Sequence, residues 1–134
     1  MHRTLPALVA LAAAFATAGC TQSPAESASA SARHTPPAAV AAGPPVDCVQ
    51  TSLIEDTRVF GDSTIDFHMR NGVIYRNTLP HSCPNLGFDE RFGYKTTTGQ
   101  LCSIDTITVL PTGSSIPGPT CGLGKFQPVT LAGR

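Results

Sequence analysis

Four cysteines, Cys48, Cys83, Cys102 and Cys121, lie at intervals of 35, 19 and 19 residues, and this widely spaced even set constrains the fold more than any other feature. Zinc sites usually gather their thiolates in close pairs and thiol oxidoreductases use Cys-x-x-Cys; no such pair occurs here. The favoured reading is two structural disulfides, for which four cysteines allow three connectivities. The region that holds them, residues 46–134, has 89 residues, a size at which a hydrophobic core alone is marginal. Each native bridge in a small secreted domain contributes about 2–5 kcal/mol, so bridges are a sensible supplement to that core.

The fifth cysteine, Cys20, sits apart. Met1, His2 and Arg3 form a short basic region, residues 5–18 are apolar except for Thr17, and Ala16-Thr17-Ala18-Gly19 leads into Cys20. This gradient is that of an export signal. The 14-residue apolar run falls short of the roughly 20 residues of a spanning helix. Residues 1–19 are expected to be a lipoprotein-type signal peptide and Cys20 the lipidated residue, although the usual leucine of the lipoprotein box is replaced by Thr17. The competing reading, cleavage after Ala18, leaves an unpaired thiol in an oxidising compartment. Thr21 after the cysteine fits the pattern of lipoproteins sent to the outer membrane. The expected location is the cell envelope, anchored by lipid and facing the periplasm; the alternative is a soluble periplasmic or secreted protein.

From residue 21 to 45, Ala, Pro and Ser fill 17 of 25 positions with no aromatic residue. Such a segment has too little apolar surface to offset ordering entropy. Residues 20–45 are expected to be the anchor and a disordered tether, with 46–134 as one small domain. That domain carries seven Lys and Arg against eight Asp and Glu. It has no basic stripe for nucleic acid and no cofactor motif.

The domain reads as all-β: a small antiparallel barrel or curved sheet of five to six strands. Its clearest unit is a hairpin over residues 64–79, with Asn71-Gly72 at the turn. A two-residue turn would bring Arg76 opposite Phe67 on the face of Ile65 and Met69. A three-residue turn with a glycine bulge instead pairs Phe67 with Tyr75 and Asp66 with Arg76, keeps one face mostly apolar, and is preferred. Further strands are expected at 57–60, through the alternation of Phe88, Phe92 and Tyr94, across 101–110, and at 125–130, where Pro128 suggests an edge. Residues 48–55 read equally as strand or helical turn. Residues 111–119 form a Gly, Ser and Pro loop.

Several of these stretches carry a resemblance. Asp47-Cys48, Val73-Ile74-Tyr75-Arg76-Asn77-Thr78, Leu79-Pro80 with Cys83-Pro84-Asn85-Leu86-Gly87-Phe88, Leu101-Cys102-Ser103-Ile104-Asp105 and Cys121-Gly122-Leu123-Gly124 together resemble an uncharacterised family of small exported domains of Gram-negative bacteria. The similarity covers nearly the whole domain. It implies an envelope location and a disulfide-bearing β domain, and it transfers no catalytic residue.

The residues offer little catalytic chemistry. Asp66 and His68 share a strand face and, with Ser103 and Asp105, supply the ingredients of a hydrolase triad, but no nucleophile elbow surrounds them; a solvated strand-face histidine is the simpler reading. His81 reads as an exposed loop histidine. In Glu55-Asp56 and Asp89-Glu90 the neighbours point to opposite faces, which does not suit joint acid and base work. Gly87 and Gly124, each following a cysteine and a leucine, suggest turns that need an unusual backbone angle. Thr96-Thr97-Thr98 and Ser114-Ser115 are polar loop positions that could contact carbohydrate or peptide. The expected function is noncatalytic: a tethered envelope module that binds a protein or cell-wall component at an exposed sheet edge. The alternative is an inhibitor or accessory subunit of a periplasmic enzyme that inserts the 111–119 loop into a cleft, and a small hydrolase ranks third.

Overall fold

In this computed structural model the described residues are 34–133. The signal segment, Cys20 and the linker up to residue 33 lie outside them.

Among the described residues, ten strands and one short α-helix follow in order: β1 Ala39–Ala41, β2 Cys48–Gln50, β3 Ile54–Phe60, β4 Thr64–Met69, β5 Ile74–Thr78, α1 Leu86–Asp89, β6 Phe92–Tyr94, β7 Gln100–Cys102, β8 Thr106–Val109, β9 Thr120–Gly122 and β10 Phe126–Leu131. They form three antiparallel sheets, of order β1-β10-β5-β4-β3, β2-β7 and β6-β8-β9. The all-β, disulfide-stabilised expectation is met, as open sheets and not as one closed barrel. The strands outnumber the expected five or six because several are three residues long and two apparent strands are broken.

The β4–β5 hairpin has the preferred register, with Asp66 opposite Arg76 and Phe67 opposite Tyr75. Gly72, at φ 85°, takes the left-handed position of the turn, and Met69 donates to the Val73 carbonyl at 2.9 Å. Asparagine and glycine tolerate this geometry, so local chemistry and the apolar face agree.

Four expectations are corrected. The segment taken as a disordered tether to residue 45 contributes β1, which ladders onto β10 with Ala41 opposite Val129. An edge strand can be held by backbone hydrogen bonds without burying side chains; Val40 stays 67% exposed, which is why composition failed to reveal it. Pro128 consequently lies between two strands. Ala42 donates to its carbonyl at 2.8 Å, and beside it Gln127 Nε2 donates to the Gly43 carbonyl at 2.7 Å, bracing the point where proline has no N–H to offer.

The third correction concerns Phe88, which belongs to α1 and is 86% exposed. Glu90 follows in a left-handed conformation at φ 51° and interrupts the alternation, so the strand begins only at Phe92. Lastly, residues 101–110 are not one strand. The Asp105 carboxylate accepts the Cys102 N–H at 2.7 Å and closes a turn that sends β7 to β2 and β8 to β6 and β9. The ambiguous stretch 48–55 holds both candidates in part: β2 and a 3-10 turn at Thr51–Leu53, followed by the start of β3.

The core is organised by Phe67, fully buried on β4. Its ring meets Phe126 of β10 edge-on at 5.4 Å and Phe92 of β6 at 6.2 Å, joining the five-stranded and three-stranded sheets. Cys48 pairs with Cys102 across directly opposed positions of β2 and β7. Cys83, wholly buried, pairs with Cys121 of β9.

Gly87 and Gly124 are required by space, not by backbone angle. Neither is among the residues with positive φ, but a Cβ on Gly87 would sit 2.6 Å from the Gly61 carbonyl carbon, and one on Gly124 would overlap the Thr78 carbonyl oxygen. Gly124 is clasped by buried Asn77, which accepts its N–H at 2.8 Å and donates to its carbonyl at 2.7 Å. Gly124→Ala is expected to cost about 1–3 kcal/mol through overpacking. Gly122→Ala, with nothing within 4 Å of the new Cβ, should stay within about 0.5 kcal/mol. Equal losses for the two in urea melts would disprove the close-approach account.

Candidate functional site

Sheets that do not close leave edges, and two of these edges line one groove. At the end of β4, Met69 donates to the Val73 carbonyl just before β5, and the next residue, Arg70, donates to the Leu53 carbonyl just before β3. By antiparallel alternation the N–H and C=O of Asp66 and His68 point to β3, where they meet Arg58 and Asp56. Thr57, between those two, turns its backbone groups away from β4. On β6, Leu110 donates to the Arg91 carbonyl at 2.9 Å, so Gly93 and Thr108 form the next hydrogen-bonded pair. Phe92 and Tyr94 therefore present their N–H and C=O outward. Thr57, Phe92 and Tyr94 all line a groove of about 480 Å³ between β3 and β6.

Its chemistry is asymmetric. Glu55, Asp56 and Glu90 bring three carboxylates to its walls against one guanidinium, Arg91, while Phe92, Tyr94 and Leu110 supply apolar surface. A register shift between Ile54 and Asp56 places Glu55 at an irregularity of the β3–β4 ladder, which, like the charges, blunts an edge against pairing with its own kind. Tyr94 and Leu110 also wall a depression of about 520 Å³ over β8, beside Thr106, Thr108 and Thr120. Arg91 and Leu110 wall a third, of about 390 Å³, under the 111–117 loop. Three depressions thus meet around the β6 edge.

The loop is positioned by its hairpin base, where Val109 donates to Pro119 at 3.0 Å and Gly118 donates to Val109 at 2.8 Å. The Asp89 carboxylate accepts the Thr112 N–H at 2.9 Å, tying the loop to α1. Ile116 on this loop is 75% exposed.

The residues considered for hydrolysis are dispersed. Asp66 is held by Arg76 in a two-pronged contact, with Nε to Oδ1 at 2.7 Å and Nη2 to Oδ2 at 2.8 Å, and its side chain is 1% exposed. Arg76 also donates to the Pro37 carbonyl at 2.9 Å. The hydrogen bonding of Arg76 to Asp66 raises the Arg76 pKa above its ordinary value, burial opposes this, and the attraction of the carboxylate adds to it. A raised pKa contributes stability at all pH values below the unfolded arginine's, so this contribution is constant across the working range. Ser103 donates to Asp47 at 3.3 Å and Asp105 caps the Cys102 turn. Among the described residues no hydrogen bond joins Asp66, His68, Ser103 and Asp105 to one another. His68 is not a solvated strand-face histidine: it is part-buried, and its Nε2 is enclosed without a hydrogen-bond partner. His81 is exposed, as expected of a loop position.

All four domain cysteines are in disulfides. Among the described residues, no three His, Cys, Asp or Glu side chains gather as a metal site, and no helix is long and apolar enough to cross a membrane. Glu90 of the second acidic dipeptide does meet the first, but across a groove: Glu55 and Asp56 lie on β3 and Glu90 follows α1. No local sequence signal marks this convergence, because it depends on which strands end as facing edges.

Comparison with curated proteins and with solved structures returns no match. The profile of one family of unknown function, DUF6491, matches residues 1–132, nearly the entire chain. The stretches that suggested an uncharacterised family therefore find a definite place, and the chain belongs to this family of unknown function, DUF6491.

Proposed function

We propose that this protein is an exported, noncatalytic binding module, anchored to the bacterial envelope through lipid on Cys20 and facing the periplasm, whose small β domain captures a protein or cell-wall component at the β6 edge. The observation that carries this reading is the set of outward N–H and C=O groups on Phe92 and Tyr94, which open onto a groove with apolar and acidic walls. Such groups bind an added strand without any catalytic side chain. Two disulfides suit an extracytoplasmic compartment, in keeping with the basic and apolar N-terminus.

The alternative, insertion of the 111–119 loop into the cleft of a periplasmic enzyme, is favoured by one observation. Exposed Ile116 stands on a loop braced at its base and by Asp89. The two readings share walls at Arg91 and Leu110 but differ in which substitution matters.

A photocrosslinking residue placed in turn at Tyr94 and at Ile116, in cells expressing the full chain, distinguishes them. The edge reading expects a discrete adduct from Tyr94 that persists when residues 113–116 are shortened. An adduct lost on shortening favours the loop, and no adduct from either position refutes both. The anchor is checked on the same material by intact mass: a diacylglycerol and an acyl group on Cys20 are expected, and a chain starting at Gly19 without lipid would refute the anchor.

A further inference from the structure

We infer that the groove between β3 and β6 takes an extended polypeptide segment in which apolar residues alternate with lysine or arginine, laddered onto β6; this rests on the binding-module reading and specifies its partner. The backbone requirement comes from β6. Phe92 and Tyr94 turn their N–H and C=O into the groove, two residues apart, which is the repeat that an added strand offers. The side chains of such a strand point alternately to two sides. Between the two walls such a strand meets apolar surface from Phe92, Tyr94 and Leu110 and carboxylates from both walls, Glu55 and Asp56 on β3 and Glu90 just before β6.

Charge selects the occupant. Among the groove's lining residues only Arg91 is basic; Asp56 is itself in contact with Arg58 at 3.4 Å, and among the described residues neither Glu55 nor Glu90 forms an ion pair. An acidic or uncharged strand would leave these groups desolvated and unpaired, whereas a basic one pairs them. A second copy of the chain is disfavoured by the same rule, because its β3 edge brings Glu55 and Asp56 against the same acidic wall. Specificity thus comes from charge, and affinity from main-chain hydrogen bonds.

The test uses the full-length protein purified in detergent and two fluorescein-labelled nonapeptides, one alternating valine with lysine and the other valine with glutamate. Fluorescence anisotropy should show the lysine peptide binding about tenfold or more tightly than its counterpart, with affinity falling as salt rises. The Glu55→Lys/Glu90→Lys variant, its fold checked by an unchanged melting curve, should reverse the preference. Methylating alternate backbone nitrogens of the lysine peptide should abolish binding for one of the two alternate sets. Equal binding of both peptides, indifference to the double substitution, or tolerance of methylation in both sets would overturn the inference. A Tyr94 adduct in cells that persists alongside such a result would leave the binding module standing with another partner. An adduct carrying cell-wall glycopeptide and no polypeptide would likewise overturn the basic-strand assignment while preserving the site.

Discussion

Asp66→Ala is expected to destabilise the domain by about 3–5 kcal/mol, because it leaves the Arg76 guanidinium enclosed without its counter-charge. Against the 5–15 kcal/mol total typical of a natural domain, that loss is enough to populate unfolded chains. The cause lies in the geometry: both carboxylate oxygens are engaged, at 2.7 and 2.8 Å, and the side chain is 1% exposed. The paired substitution Asp66→Leu/Arg76→Met should recover most of the loss, since an apolar pair of similar volume often replaces a buried ion pair at little cost. Urea melts of the single and double variants measure this, and a double variant as damaged as the single would show that the charges themselves are required. Arg76 additionally holds Pro37, so proteolysis near residues 37–41 should accelerate in the double variant, which lacks that donor.

Removing the Cys83–Cys121 bridge by Cys83→Ala/Cys121→Ala is expected to cost about 2–5 kcal/mol. The bridges span 38 and 54 residues, and loop-closure entropy grows so slowly with length that this difference is worth only about 0.3 kcal/mol. What separates them is access. Cys83 is wholly buried and its partner Cys121 part-exposed, whereas both Cys48 and Cys102 are part-exposed on the two-stranded sheet. Under native conditions a mild reductant should open Cys48–Cys102, part-exposed at both ends, before Cys83–Cys121, which offers only the Cys121 side, and mapping alkylated cysteines over time reads the order. Simultaneous reduction of both bridges would contradict the role given to burial.

The strongest local signals survived folding intact, and the weak ones were overruled for identifiable reasons. Asn71-Gly72 and the alternation on either side settled the β4–β5 register, because a one-residue slip would have turned Ile65, Phe67 and Met69 away from the core. Phe88 misled because it sits in the same alternation as Phe92 and Tyr94, and only the left-handed turn at Glu90 separates them. Pro128 suggested an edge, since the strand that covers it comes from a segment whose composition gave no sign of packing.

Two things were determined by the sequence alone: an all-β domain with two bridges' worth of cysteines, and the pairing of Asp66 with Arg76. Both follow from alternation and residue type, which act over a few neighbours. The disulfide connectivity, the three-way meeting of Phe67, Phe92 and Phe126, and the groove between β3 and β6 were decided by the tertiary structure. Glu55 and Glu90 are 35 positions apart, and nothing local records that β3 and β6, which carry and follow them, end up as facing, unpaired edges; that depends on which ladders close, a property of the packed chain as a whole.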